Sequence, residues 1–378
     1  MNLLILPHQL FDIKYFPKDI DIKKVFIHEH PQYFTKYNFN KKKLILHRAS
    51  MKKYENYLVN EGYEVKYYEY KKKPIIKKTG FMMFDPIDKL GITSKVETVL
   101  ETPNFLLSKE DYQKYRGKSD KFVFQSFYMF GKKITDIIPD VKSQDAQNRK
   151  KLGKGIKIPD LPTNLIKEDK EFIDEAIDYV EKNFKNNYGN VDDFQLPISH
   201  KCVTKWLDDF IKNKFEDFGP YEDAIKKEEA YLFHSVLSSS INIGLINPLE
   251  IIDKIRPIKN KISLNSYEGY VRQLYWREYQ RYCYIYCDFS DKTFFGGKKK
   301  LDSKWYTGDL GIDPVDDAIK MAFDKGYLHH IYRLMVVGNW MNLNEIDPWE
   351  GFKWFMEFSC DSYEWVMYQN VLDMVFFV

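Results

Sequence analysis

Residues 43–68, KLILHRASMKKYENYLVNEGYEVKYY, decide how the first part of the chain folds. The run Lys43 to Leu46, a lysine followed by three apolar residues, leads into a helical stretch from Ala49 to Glu61. Gly62 ends this helix, since glycine readily adopts the backbone conformation that follows a helix end. Tyr63 to Tyr68 then alternate in polarity, as side chains do in a half-buried strand. The stretch therefore predicts a helix followed directly by a strand.

Two compact apolar runs precede this stretch and predict buried parallel strands. They are Leu3 to Leu6 and Val25 to Ile27. A strand, a helix, a glycine and a second strand form a βαβ unit, so we expect a Rossmann-like α/β domain with an open parallel sheet. No G-x-G-x-x-G pattern follows the first strand, and the usual dinucleotide fingerprint is therefore absent.

The composition limits the class of protein. The chain has 378 residues, of which 44% are hydrophobic, and this is enough for a sizeable core and two or three domains. A net charge of +3 excludes a polycation, although local basic patches remain open. We see neither an apolar run of transmembrane length nor a signal peptide, and four cysteines are too few for a disulfide scaffold. We therefore expect a soluble, intracellular, cytoplasmic protein.

The pattern changes in the middle of the chain. From Gln144 to Thr163 the sequence is polar and basic and contains two prolines, as in a surface linker. From Lys170 onward, apolar residues recur at helical spacing. The predicted helical stretches are Phe172 to Phe184, Val203 to Phe215, Glu228 to Ser240, Ser266 to Tyr286 and Pro314 to Lys325.

Several groups of residues in this helical part could carry chemistry, and each has a structural alternative. Five of the seven tryptophans lie in the last 74 residues, which fits either a large core or a path for electrons. The pair His329-His330 could act as a general acid or base, or be a satisfied core feature. Arg333 and Asp361 fit a buried ion pair, either functional or structural.

Three further groups are equally open. The hydroxyl-rich segment His234 to Ser240 could hold a phosphate or simply cap a helix. The basic loop Lys298 to Lys300, next to two phenylalanines, suits a nucleic acid or a solvated surface. Cys283 and Cys287 lie one helical turn apart, but they lack further ligands at metal-binding spacing, so we expect buried cysteines and assign no metal ligand.

Ten ordered segments together resemble a known family over essentially the whole chain. They include Asp145-Ala-Gln-Asn-Arg-Lys-Lys-Leu, Leu232-Phe-His-Ser-Val-Leu-Ser, Gly326-Tyr-Leu-His-His-Ile-Tyr-Arg-Leu-Met and Asp361-Ser-Tyr-Glu-Trp-Val. The chain resembles the photolyase-related branch of the cryptochrome/photolyase family, of the prokaryotic (6-4) photolyase type. The resemblance implies an α/β antenna domain over residues 1–125, a linker over 126–169, and an all-α FAD-binding domain over 170–378.

The resemblance also implies an activity and its residues. Photoexcited reduced FAD would give an electron to a pyrimidine dimer flipped out of UV-damaged DNA, either a (6-4) product or a cyclobutane dimer. Catalytic roles fall to His329 and His330 on the lesion side and to Trp354, which would pass electrons to the flavin. Lys298 to Lys300 would lie near the DNA. The FAD-binding residues would be His234, Ser235, Leu237, Ser238, Ser239, Arg272, Trp276, Arg277, Arg333 and Asp361. A ribityllumazine-type antenna chromophore would bind the α/β domain, near Glu29 and the stretch from Tyr37 to Lys43.

Two departures from the family pattern add expectations. Pro314 stands where a cluster-binding cysteine is common, and the sequence stops before the region that carries the other three, so we expect no iron–sulfur cluster. The helical domain is expected to be incomplete at its C-terminal end, with the missing helices on a separate chain. The alternatives to a photolyase are thus a truncated or split fragment without a competent FAD pocket, and a cryptochrome-like blue-light photoreceptor.

Overall fold

The computed structural model describes residues 1–138, 141–289 and 294–378. Within them the chain forms two compact units, each built from three segments. The first unit is Met1–Asn104, Pro162–Trp206 and Leu237–Asn247; the second is Phe105–Leu161, Leu207–Val236 and Pro248–Val378. The domain boundaries expected at residues 125 and 169 stay a prediction, and residues 139 and 140 of the expected linker lie outside the described residues.

A five-stranded parallel sheet forms the centre of the first unit. Its order is β3-β2-β1-β4-β5, with every neighbouring pair parallel. The order reverses between β1 and β4, which makes the carboxyl ends of these two strands a switch point, the usual place for a ligand in an open α/β sheet. The predicted parallel α/β sheet is confirmed. The strands are β1 Asn2–Ile5, β2 Lys24–His28, β3 Val65–Tyr68, β4 Phe81–Phe84 and β5 Thr98–Leu100.

One long helix of the first unit begins earlier than the sequence pattern predicts. It spans Lys41–Asn60, so the apolar run Lys43 to Leu46 belongs to the helix, where all four residues are buried. Asn40 starts it by accepting a hydrogen bond from the backbone of Lys42 through its side chain. The helix packs against Lys170–Asn183. The other helices of this unit are Ile13–Tyr15, Pro31–Phe34, Thr93–Lys95, Thr163–Asp169 and Ser238–Ile243, and His200–Asn213 begins in it and ends in the second unit.

The second unit is helical, as predicted, and its central helix is Leu264–Tyr286. This helix packs against Phe124–Thr135, Phe215–Phe218 and Glu364–Met367, and most of its residues are buried. Two segments are π-helical, Tyr332–Gly338 and Tyr368–Asp373; such turns occur frequently at functional sites. The remaining helices are Lys109–Arg116, Asp145–Gln147, Pro248–Ile255, Arg256–Ile258, Lys304–Thr307, Asp313–Lys325, Asn339–Leu343 and Pro348–Phe358.

One predicted helix is wrong. The segment Glu228 to Ser240 is irregular as far as Leu237, and only its last residues enter the helix Ser238–Ile243. Glu228, Leu232 and Val236 all have positive φ, at 63°, 41° and 56°, which a right-handed helix excludes. The apolar residues whose spacing suggested a helix are instead buried as part of a loop.

Among the described residues, none of the helices combines the length and the apolar character that a membrane crossing requires.

Candidate functional site

Three imidazoles of the second unit lie together. The rings of His234 and His329 are stacked, with centroids 4.8 Å apart and planes 13° from parallel. The ring of His330 lies 5.8 Å from His234 and 6.0 Å from His329, centroid to centroid. A residue assigned to FAD by resemblance, His234, thus lies against the pair assigned to the lesion side.

The backbone around His234 is strained. Leu232 and Val236 flank it, with φ values of 41° and 56°. A left-handed conformation is an outlier for a β-branched residue such as valine. Strain of this kind concentrates at functional sites, where the surrounding structure holds it in place. His234 therefore lies in a strained loop and not in the helix that the sequence predicted.

The stacked imidazoles are held in the neutral form. Burial lowers the pKa of His234 to about 3 and, with the neighbouring imidazoles, lowers the pKa of His329 well below its ordinary value. His330 differs, because 38% of its side chain is exposed. It is the imidazole of the three that a ligand in solvent can reach most easily.

Asp223 orients His330. Its Oδ1 atom lies 3.0 Å from Nε2 of His330. Burial alone would raise the pKa of the Asp223 carboxyl, but the hydrogen bond with His330 and the charges of Arg149 and Arg272 hold it below its ordinary value. An ionised carboxylate only accepts hydrogen bonds. Nε2 of His330 therefore donates to Asp223, which leaves Nδ1 as the nitrogen free to act on a ligand.

A buried carboxylate, Glu222, directly precedes Asp223 in the chain. Nη2 of Arg272 lies 3.2 Å from Oε2 of Glu222 and 3.2 Å from Oδ1 of Asp145. Asn148 also donates to Oε2 of Glu222, at 2.7 Å. Arg272, predicted to line the flavin and lesion cavity, is thus engaged with carboxylates adjoining the histidine site.

Arg333 and Asp361 form the pair that the sequence suggested. Nη1 and Nη2 of Arg333 each lie 3.0 Å from a carboxylate oxygen of Asp361, which makes a bidentate contact. Nε donates to the carbonyl of Leu328, and Nη2 also donates to Ser359. Arg333 has five N–H groups. Four are engaged by these contacts among the described residues, and one N–H of Nη1 remains for a ligand.

Trp354 is fully buried close to this pair. Its Nε1 donates to the carbonyl of Trp305 at 2.7 Å, and its ring lies 4.8 Å from Phe358. The guanidinium of Arg333 stands 5.5 Å above the same Phe358 ring. One aromatic ring therefore connects Trp354 to the Arg333–Asp361 pair, which is the neighbourhood that an electron donor to a flavin there would need.

The two other predicted residues of the central helix pack against aromatic rings. Trp276 stacks on Phe124 with centroids 3.7 Å apart. The guanidinium of Arg277 lies 4.2 Å above Phe105 and 5.0 Å above Trp365. Burial lowers the pKa of Arg277 to about 10. The structure places both residues in the second unit's aromatic core, and their predicted roles toward FAD stay predictions.

The residues of the second unit fit one part of FAD. The edge of an isoalloxazine ring alternates hydrogen-bond donors and acceptors, and the Arg333–Asp361 pair offers both side by side with 12% and 10% of the side chains exposed. Ser235 lies in the same unit, within 3.1 Å of the hydroxyl of Tyr270. Leu237, Ser238 and Ser239, which the resemblance assigned to FAD binding, belong to the first unit at the start of the helix Ser238–Ile243. Their contact with FAD stays a prediction.

Sequence reasoning missed a polar cluster at the switch point of the sheet. His8, after β1, lies 2.9 Å from the carbonyl of Pro86, after β4. Tyr33 donates to Asp88 at 3.1 Å, and its ring lies 4.6 Å from that of His8. Burial lowers the pKa of His8 to about 4. The sequence did contain a signal for this cluster, because His8 lies two residues after the predicted strand Leu3 to Leu6, and ligands bind at the carboxyl ends of such strands.

Glu29, which the sequence placed near the antenna chromophore, is engaged by protein groups. Its two oxygens accept hydrogen bonds from Arg48 at 2.8 Å, from the hydroxyls of Tyr67 and Tyr179 at 2.7 Å each, and from the backbone of Tyr70 at 3.0 Å. A carboxylate offers about four lone-pair sites. These contacts fill them and give Glu29 a structural role.

The cysteines behave as expected for apolar residues. Cys283 is buried among Tyr112, Tyr115 and Tyr282, and Cys287 packs against the same cluster. Burial raises the pKa of both thiols, which disfavours the thiolate that a metal needs. The expectation that no iron–sulfur cluster binds stays a prediction.

Comparison with known proteins places these features in a family. The family model described as "Deoxyribodipyrimidine photo-lyase-related protein" matches residues 3–83 and 82–196, about half of the chain. The (6-4) photolyase of Agrobacterium fabrum is 30% identical over 284 residues, which cover 71% of this chain and 55% of that protein. The chain thus spans about half the length of this relative.

A viral protein and a solved photolyase structure are also similar to this chain. An uncharacterized protein of Acanthamoeba polyphaga mimivirus is 50% identical over 111 residues, which cover 28% of this chain and 85% of that protein. The crystal structure of a bacterial class III photolyase from Agrobacterium tumefaciens superimposes on this chain with a TM-score of 0.64 at 14% identity. The match covers 99% of this chain and 79% of that one, and it shows that the two chains share a fold. By the family match, the chain belongs to the deoxyribodipyrimidine photo-lyase-related proteins.

Proposed function

We propose that this protein repairs UV-damaged DNA in the light, using bound FAD to split a (6-4) product or a cyclobutane dimer. Membership of the family points to light-dependent DNA repair or a cryptochrome-like role, and photolyases generally bind FAD. The observation that carries the proposal is the second unit's combination of a bidentate Arg333–Asp361 pair with three clustered imidazoles.

Three residues have proposed roles around the flavin. When bound, FAD would supply the light-driven electron that breaks the dimer and then recovers it. Arg333 and Asp361 would hold the edge of the isoalloxazine ring through the remaining N–H and through the carboxylate oxygens. Trp354, one ring away from this pair, would pass electrons inward to keep the flavin reduced. Its burial keeps water from its ring.

His330 would face the lesion. With 38% of its side chain exposed, it can accept a proton at Nδ1 while Asp223 holds Nε2 and donate that proton again, an arrangement suited to general acid–base work. The buried, neutral His329 would support it by packing. The basic loop would contact the DNA backbone: Phe294 and Phe295 beside it are 79% and 59% exposed, as a surface that stacks on bases requires. Lys299 is paired with Glu345, whereas Lys298 and Lys300 are exposed.

Flavin retention tests the first step of this proposal. We expect purified protein loaded with FAD to keep its blue absorption bands after gel filtration, and Asp361→Asn to weaken FAD binding by about 10- to 100-fold. A hydrogen bond to a charged group is worth about 1.5–3 kcal/mol, which corresponds to a change of this size. Fluorescence titration of the apoprotein with FAD gives the affinity.

A matched control keeps this result interpretable. Arg256→Ala removes an exposed arginine of the same unit and should leave FAD binding unchanged. Thermal melting of each variant checks folding, because an unpaired Arg333 would also weaken the fold. Equal FAD affinity in folded wild type and Asp361→Asn would remove Asp361 from the flavin site.

Two further expectations belong to this proposal. A ribityllumazine-type antenna chromophore would bind the first unit, and the polar cluster around His8 and Tyr33 is where we place it. The protein would act in the cytoplasm, where its DNA substrate is accessible.

A further inference from the structure

We infer that His234, His329 and His330 form a binding site for one transition-metal ion such as Zn²⁺. One nitrogen of each imidazole can be chosen so that all three lie within 4.8 Å of one another. Three histidines with an open fourth position are a common ligand set for zinc. This site goes beyond the proposed function. In the metal-bound protein His330 would be a ligand and could not carry out the proton transfer proposed for it, so the metal-bound and repair-competent forms would be distinct.

Unpartnered nitrogens within the cluster point to a ligand. Nδ1 and Nε2 of His329 and Nε2 of His234 are buried and have no hydrogen-bond partner among the described residues. His329 is only 2% exposed. Burying a polar group without a partner costs about 1–3 kcal/mol by mutational measures. A metal ion bonded to one nitrogen of each ring would remove part of that cost.

A carboxylate holds one of the three imidazoles. Asp223 accepts from Nε2 of His330, which leaves Nδ1 as the unprotonated nitrogen that can bind a metal. Metal-binding histidines usually donate their second N–H to a carboxylate in this way, and the carboxylate fixes the ring.

The chemistry of the cluster selects the ion. Imidazole suits zinc, cobalt, nickel and copper, whereas magnesium and calcium prefer oxygen ligands. Asp223 and Glu222 bring negative charge near the site, partly offset by Arg149 and Arg272. Tetrahedral zinc needs Zn–N distances of about 2.0 Å, hence nitrogens about 3.3 Å apart. The three nitrogens, which lie within 4.8 Å of one another, would have to move closer to reach this spacing, and His330 is the least enclosed of the three side chains, with 38% exposed.

Cobalt binding tests the site in tag-free, FAD-loaded protein. We expect Co²⁺ to bind one per chain and to give the visible bands of tetrahedral cobalt without the ultraviolet band of cobalt–thiolate bonds. Zn²⁺ should displace it. His330→Gln should abolish the bands, and Asp223→Asn should weaken Zn²⁺ binding by about 10-fold, as loss of an outer carboxylate does. Calorimetry with Zn²⁺ measures the affinity.

Two variants serve as controls. His200→Gln changes a histidine of the first unit, and Cys287→Ser changes a half-buried thiol; both should bind cobalt as wild type does. His329→Gln adds an independent ligand removal, with circular dichroism as the check on folding. The inference is overturned if cobalt fails to bind wild type, if a thiolate band appears, or if folded His330→Gln keeps the tetrahedral spectrum.

Discussion

Replacing His330 with alanine should reduce the light-driven repair rate by about 10²–10⁴-fold, the usual contribution of a general acid or base. His330 is the imidazole of its cluster that is both substantially exposed and oriented by a carboxylate, Asp223. The flavin should remain bound, because Arg333 and Asp361 are untouched. Single-turnover repair of a defined (6-4) lesion, with flavin content measured in the same sample, gives the rate.

Neighbouring variants separate chemistry from positioning. Asp223→Asn keeps the size of the side chain that holds His330 but removes its charge, so it should lower the maximal rate less than His330→Ala and leave DNA affinity unchanged. His200→Ala in the first unit should repair like wild type. If His330→Ala repairs the (6-4) lesion at the wild-type rate, His330 is neither donor nor positioning group for it.

The first unit should lose stability on mild acidification, with a total on the order of 4 kcal/mol between pH 6.5 and pH 5.5. Burial lowers the pKa of His8, His28 and His30 to about 4 and that of His47 well below its ordinary value. Below pH 6.5 these four histidines bind protons in the unfolded chain but stay neutral in the folded unit. Their contribution to the free energy of unfolding is therefore complete above pH 6.5 and decreases as the pH falls toward their pKa values in the folded unit. The loss is about 1 kcal/mol per histidine between pH 6.5 and pH 5.5.

The second unit should respond much less. The lowered pKa values of His234 and His329 make this unit less stable as the pH falls, as in the first unit. Glu222, Glu278 and Asp373 act in the opposite direction, because burial raises their pKa values and the folded unit binds protons more readily than the unfolded chain. Hydrogen exchange followed by mass spectrometry at several pH values resolves the two units. Equal protection of the first unit at pH 7.5 and pH 5.5 would refute the prediction.

The strands were predictable because their evidence is local. Leu3 to Leu6 and Val25 to Ile27 have the apolar runs of buried parallel strands, and the structure has β1 and β2 there. The run Lys43 to Leu46 shows the limit of this signal. Its three apolar residues resemble a strand, but the run belongs to a helix, because Asn40 begins that helix and every residue from Lys42 to Met51 is buried.

The candidate site was predictable only in part. An Arg333–Asp361 ion pair was expected from the sequence before the family resemblance placed it at the flavin, and in the structure the two side chains make a bidentate contact. The meeting of His234 with His329 and His330 could not be read from the sequence, because it depends on the left-handed turns at Leu232 and Val236. Neither leucine nor valine favours a left-handed conformation, so the sequence did not indicate these turns. Periodicity favoured a helix there, and tertiary packing overrode it.

The most direct test of the account is light-driven repair by the flavin-loaded protein. Oligonucleotides carrying one (6-4) product or one cyclobutane dimer would be incubated with reduced, FAD-loaded protein under blue light and in the dark. The account predicts that at least one lesion returns to intact pyrimidines in the light and neither does in the dark. Protein that retains FAD yet leaves both lesions unrepaired in the light would contradict it.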